Sequence, residues 1–114
     1  MRAGEAAERR AAWHYRLRGY RIMGRNVRAG GNELDLVVRR GRRLVFCEVK
    51  QKSGDGYGDP LEMVDAEKQR RLRRAASAWL ARHPESGGLD VAFEVIAVRG
   101  GRVSRLADDL DGEP

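Results

Sequence analysis

The stretch "ELDLVVRRGRRLVFCEVK", residues 33–50, contains two strand-forming runs joined through Arg39-Arg40-Gly41-Arg42. A turn signal between two apolar runs reads as an antiparallel hairpin. Strand alternation puts Leu34, Leu36 and Val38 on one face of the first arm, with Glu33, Asp35 and Val37 on the other. In the second arm Val45, Cys47 and Val49 oppose Phe46, Glu48 and Lys50. These assignments let Asp35 and Glu48 point the same way. Glutamate and lysine are poor strand formers, and a buried charge is costly unless it is paired or binds a metal. The Glu48–Lys50 pair is therefore either an ordinary ion pair, worth about 0.2 to 1 kcal/mol if exposed, or the centre of a site.

On the N-terminal side, residues 3–18 read as a helix rich in Ala and Arg, with Trp13 and Leu17 spaced four apart and Gly19 as its stop. Tyr20 to Met23 forms a short first strand, and Gly30-Gly31-Asn32 is a turn. On the C-terminal side, "QKSGDGYGDPLEMV" is a glycine-rich loop, and Asp65 is the N-cap of a second helix. Leu72, Ala75, Ala76, Trp79 and Leu80 are that helix's apolar stripe, which runs to about His83 with Pro84 beyond. Trp13 and Trp79 are both assigned to the core, while an exposed tryptophan would suit stacking on an unpaired base. His14 and His83 read as structural. "LDVAFEVIAV" is a buried strand, "RGGR" a tight turn and "VSRLAD" a last strand. The order α, three β, α, two β predicts an α/β domain over residues 1–107: a mixed sheet of about five strands with a helix on either side, followed by an acidic, frayed tail, 108–114.

The chain has 114 residues, enough for one domain with one core. It has no apolar run long enough to cross a bilayer and no signal-peptide pattern at its start, so a cytoplasmic protein without a membrane is expected. Cys47 is the sole cysteine, which excludes an internal disulfide and a cysteine-built zinc site; mid-strand it reads as core packing. The net charge of +6, carried mostly by arginine, favours a polyanionic partner, with nucleic acid the leading class.

Magnesium takes oxygen ligands, often one or two carboxylates completed by waters and a substrate phosphate. Asp35 and Glu48 on the two hairpin arms could share one such ion. Lys50 lies two residues from Glu48, about 6.6 Å along the same face, placed to act on an attacking water or on charge developing at a phosphate.

Asp35, then Glu48 thirteen positions later in "EVK", resembles the PD-(D/E)XK signature of the restriction-endonuclease-like superfamily, here without the Pro-Asp dipeptide. Around it, "RGYRIMGRNVR", "ELDLVV", "LVFCEVK", "YGDPLEMV", "KQRRLRRAASAWL" and "LDVAFEVIAV" follow the order of the YraN-like family of small bacterial proteins, over nearly the whole chain. The resemblance implies a restriction-endonuclease-like fold, similar to Holliday-junction resolvases, and a Mg2+- or Mn2+-dependent DNA endonuclease acting on branched or processed DNA. It implies Asp35 and Glu48 as metal ligands, Lys50 as the catalytic lysine and Glu33 as a neighbouring acid. It also implies a first-helix glutamate, matched in distance by Glu8 and in its Gly-Glu dipeptide by Glu5; Glu8 is the choice here. Related junction-cutting enzymes are homodimers, and that expectation rests on the resemblance alone. Two positions depart from the family pattern: Asn32 stands for a glycine, and Glu94 for an aspartate, which puts a role for that position in doubt.

At the start of the second helix, Lys68 and Gln69 suit phosphate contact or plain solvation, with Lys68 a recurring family position. Arg71 and Arg74, with Arg70 and Arg73, are likewise assigned to phosphates in preference to a solvated face. Beside the nuclease stand two other readings: a non-catalytic nucleic-acid-binding module of the same fold, and an interaction subunit whose active partner is elsewhere.

Overall fold

A computed structural model of the chain describes residues 4–52 and 66–107. Most of the glycine-rich loop, the Asp65 cap and the acidic tail fall outside these residues. The elements are α1 (Glu5–Arg16), β1 (Arg21–Ala29), β2 (Asn32–Arg40), β3 (Arg43–Lys52), α2 (Ala66–Arg82), a 3-10 turn (Pro84–Ser86), β4 (Asp90–Arg99) and β5 (Arg102–Ala107). The α, three β, α, two β order is thus observed. The five strands lie in sequence order in one sheet. All neighbours are antiparallel except β3 and β4, which run parallel because α2 carries the chain back across the sheet. Among the described residues no helix is long and apolar enough to cross a membrane.

Each helix covers one face of the sheet. Ala7, Ala11, Ala12 and Tyr15 of α1 pack on Leu36, Val38, Val45, Cys47, Val49 and Ile96. Leu72, Ala75, Ala76 and Trp79 of α2 pack on Leu34, Val37, Leu44, Phe46, Phe93 and Val95. Both faces of the hairpin are therefore buried, which explains its near-continuous apolar runs.

Three expectations are corrected. Trp13 and Leu17 are not core: they are 51% and 76% exposed, whereas Trp79 is 2% exposed. The face of α1 that meets the sheet is its alanine face, because small side chains let the helix lie close. β1 runs to Ala29, six residues beyond Met23. Its register against β2 shifts between Ile22 and Gly24, so a bulge breaks the alternation by which a strand is recognised. Finally, Leu34 packs with Val37 and Leu44 on the α2 side, opposite to Leu36 and Val38. The face assignment slips at Asp35.

Turn chemistry fixes both ends of β1. Gly19, at φ +88°, ends α1 as its N–H donates to Arg16 O and that of Tyr20 donates to Tyr15 O, each at 3.0 Å; this is a Schellman closure. At the β1–β2 turn Gly30 has φ +59°, and a Cβ there would lie 3.1 Å from Arg74 O and 3.2 Å from Ala78 Cβ. Glycine thus lets α2 approach the turn.

Candidate active site

The slip at Asp35 coincides with an opening in the sheet. The β2–β3 ladder runs from Arg40–Arg43 to Leu36–Cys47 and stops; the next rung in register would join Asp35 to Glu48. In its place a side chain enters the ladder, as the Val49 N–H donates to Asp35 Oδ2 at 2.8 Å. Asp35 is thereby fixed against β3 beside Glu48. Lys50 Nζ lies 3.0 Å from Glu48 Oε2, with the two side chains only 17% and 26% exposed.

From the α2 side, Glu33, Glu48, Lys68 and Arg71 line a cleft of about 200 Å3 together with Asn32 and Leu72. From the α1 side comes Glu8, which is 2% exposed and accepts a 3.2 Å hydrogen bond from Asn26 Nδ2. Glu5 is exposed. Of the two first-helix acids it is Glu8 that turns inward, because it shares the face of Ala12 and Tyr15 at helical spacing. Asn26 lies opposite Asp35, between the Arg25–Leu36 and Val27–Leu34 pairs. Its φ of 51° is the described chain's one left-handed backbone outside glycine, a conformation that asparagine tolerates better than most residues.

The charges at this place are poorly compensated. Burial pushes the Asp35 carboxyl up to about 6; the Val49 amide pulls it down, but the charges of Glu48, Glu8 and Glu33 add to the rise. Burial alone would lower Lys50, yet the hydrogen bond with Glu48 and the charges of Glu48 and Asp35 hold its ammonium above the ordinary value. Among the described residues, the buried Glu8 Oε2 and Asn26 Oδ1 have no hydrogen-bond partner.

Among the described residues no group of three or more His, Cys, Asp or Glu is arranged to hold a metal by itself. A hard divalent cation needs fewer protein oxygens when waters and phosphate complete its shell. Asp35 and Glu48 fit that requirement in kind. A cation here would give the Glu8 oxygen a partner and offset the acid neighbours that raise the Asp35 carboxyl.

Two of the nucleic-acid candidates, Lys68 and Arg71, reach the cleft; Gln69 and Arg74 are not among its lining residues. Arg70 and Arg71 also bond Glu67, at 2.7 and 3.3 Å, and Arg73 lies 4.8 Å over the Phe93 ring. His83 stacks on Trp79 at 3.8 Å. Cys47 is wholly buried, and burial pushes its thiol well above the ordinary value; it packs in the core, as its strand position implies.

Sequence reasoning missed the part played by Glu94. It is fully buried on the α1 side of β4, where Tyr15 donates to its Oε1 and Arg43 to its Oε2, each at 2.6 Å. Arg43 Nε also donates to Tyr20 Oη at 3.1 Å. This paired charge ties α1, and with it Glu8, to the middle of the sheet. Asn26 was likewise missed; its signal is a turn-former inside the strand-like run "RIMGRNVRA".

Known proteins of the same kind extend over most of the chain. A UPF0102 protein of Symbiobacterium thermophilum is 48% identical over 105 residues, 92% of this chain and 88% of that protein. One from Frankia casuarinae is 47% identical over 95 residues, 83% and 80% of the two chains. A third, from Shewanella amazonensis, is 39% identical over 108 residues, 95% of this chain and 98% of its own. Residues 7–98 match the group described as "Uncharacterised protein family UPF0102". The chain therefore belongs to this YraN-like family, UPF0102.

Proposed function

We propose that this protein is a metal-dependent deoxyribonuclease of the restriction-endonuclease-like, PD-(D/E)XK kind, acting on branched or processed DNA. The observation that carries the reading is the convergence of Asp35, Glu48 and Lys50 where the β2–β3 ladder opens, with buried Glu8 behind them. A magnesium or manganese ion held by Asp35 and Glu48 would supply Lewis-acid polarisation of the scissile phosphate. Lys50, kept cationic by its acid neighbours, neutralises charge growing on the phosphate and orients the attacking water. Lys68 and Arg71, on the cleft wall, hold flanking phosphates; Arg71 must give up its exposed bond to Glu67 to do so. Asn26 fixes Glu8, and Glu8 and Glu33 keep the electrostatic demand for a cation high.

The test incubates purified protein with linear, single-stranded, flapped and four-way DNA in Mg2+ or Mn2+, beside Glu48→Gln and Asp35→Asn. Cleavage by wild type and its loss in both variants is expected. Identical products from all three proteins would mean contamination and would sink the enzymatic reading.

One observation favours a non-catalytic binding module instead. Lys50 already pairs with Glu48 Oε2 at 3.0 Å, which compensates part of the charge that an ion would otherwise neutralise. That reading predicts DNA binding with a steep salt slope and no cleavage in either metal.

A further inference from the structure

Arginines gather at the other end of the same sheet. Arg21 stands directly opposite Arg39 across β1 and β2, and Arg40 opposite Arg43 across β2 and β3. Like charges so placed destabilise a sheet. Arg43 turns inward to Glu94. Arg21, Arg39 and Arg40 make no ion pair among the described residues, and with Gly19 and Gly41 they line a concavity of about 280 Å3 that no carboxylate of the described residues lines. Two of the guanidinium forks are already aimed. Arg39 Nε donates to Gly41 O at 2.8 Å and Arg40 Nη1 to Arg18 O at 2.7 Å, while Arg40 lies 4.7 Å over the Tyr20 ring. Carbonyl partners orient a guanidinium without neutralising it, and each fork has five N–H donors, so most stay available to an anion.

We infer that this concavity is a second phosphate seat, which holds a backbone phosphate of a nucleic-acid strand whose other contact is the Asp35–Glu48 end. The identity of the strand rests on the function proposed above. Along β2, Arg39 and Arg40 lie four and five residues from Asp35, about 13 to 17 Å. Leu36, Val37 and Val38 between them are fully buried, so a nucleic-acid strand that touches both ends passes around the edge of the sheet, over at least this distance. The seat thus sets a footprint and recruits substrate by charge at a distance from the chemistry.

The experiment compares wild type, Arg21→Gln/Arg39→Gln and Lys68→Gln for binding to a fluorescent DNA duplex in EDTA over a range of NaCl. The double variant should bind more weakly, with a salt slope smaller by about 0.9, the loss of one neutralised phosphate. It should melt no lower than wild type, since a repulsive pair has been removed. An unchanged slope overturns the seat, and so does a lowered melting temperature without a change in slope. Inorganic pyrophosphate, titrated in parallel, separates the sources. If the double variant loses affinity for pyrophosphate but not for DNA, the nucleic-acid assignment is overturned. Wild type that cleaves nothing while the slope difference stands refutes the nuclease reading alone. Cleavage with an unchanged slope in the double variant refutes the seat alone.

Discussion

Asp35 gives stability a dependence on pH whose sign follows from its surroundings. Burial, with the charges of Glu48, Glu8 and Glu33, raises its carboxyl from 3.8 to about 6 in the folded protein. The folded state therefore holds this proton more tightly than the unfolded state does. In a chelating buffer the associated stability is complete below about pH 4, is lost as pH rises through 6, and stays lost above; a shift of about two units corresponds to at most about 3 kcal/mol. Asp35→Asn, whose carbonyl can still accept from Val49, should be more stable than wild type at pH 7.5 by about 1 to 3 kcal/mol and equal to it near pH 4. Urea unfolding at the two pH values checks this, and added Mg2+ should raise the wild-type midpoint but not that of Asp35→Asn. At Glu94, Tyr15→Phe removes the 2.6 Å donor to a buried carboxylate and should cost about 1 to 3 kcal/mol in the same assay. The two residues differed in legibility for a physical reason. Asp35, Glu48 and Lys50 stand out because period-2 alternation exposes a charge among apolar neighbours. Glu94 stands out equally in "AFEV", but its partners lie 79 and 51 positions away, a distance no local pattern spans.

Among the elements, the helices divide the same way. The stripe of α2 was readable because Leu72, Ala75, Ala76 and Trp79 are large or regularly spaced, and all four are buried. In α1 bulk misled: Trp13 and Leu17 draw the eye, while the buried face consists of Ala7, Ala11, Ala12 and Tyr15 with Glu8. A face of alanines is the mark of close helix–sheet contact, and an acid on such a face is the element-level sign of an inward Glu8. β1 was under-read because Gly24 and Asn26 interrupt it, and both serve the irregular path that sets Asn26 beside Glu8. Close packing of α2 yields a direct test. Gly30→Ala places a Cβ in left-handed backbone, 3.1 Å from Arg74 O, so helix and turn must separate. A loss of more than about 1 kcal/mol is expected, measured by urea unfolding in a Trp13→Phe background, where Trp79 fluorescence reports the α2 face.

At the scale of the whole molecule, α/β composition, element order and a helix on each face were legible because periodicities of 2 and 3.6 alternate cleanly along the chain. That the sheet is mixed was legible as well, but not that β3 and β4 are its parallel pair, since this depends on where α2 returns the chain. The charge of +6 acts at this scale too: screening self-repulsion among the surface arginines should make the protein melt higher in about 0.5 M than in about 0.05 M NaCl, by less than about 1 kcal/mol, or a few degrees, in a thermal scan. The parallel junction also has a consequence in time. Glu8, Glu33, Asp35, Glu48 and Lys50 all lie within residues 1–50, on α1 and the antiparallel meander. Ten rungs, Arg43–Asp90 to Lys52–Arg99, join β3 to β4. At about 5 to 20 residues per second, a ribosome takes about 2 to 8 s to make the segment between β3 and the start of β4. For that interval the segment bearing Glu48 and Lys50 lacks both the strand that pairs with its edge and the Glu94 that anchors α1, so every residue of the candidate site is synthesised before the strand that fixes their arrangement.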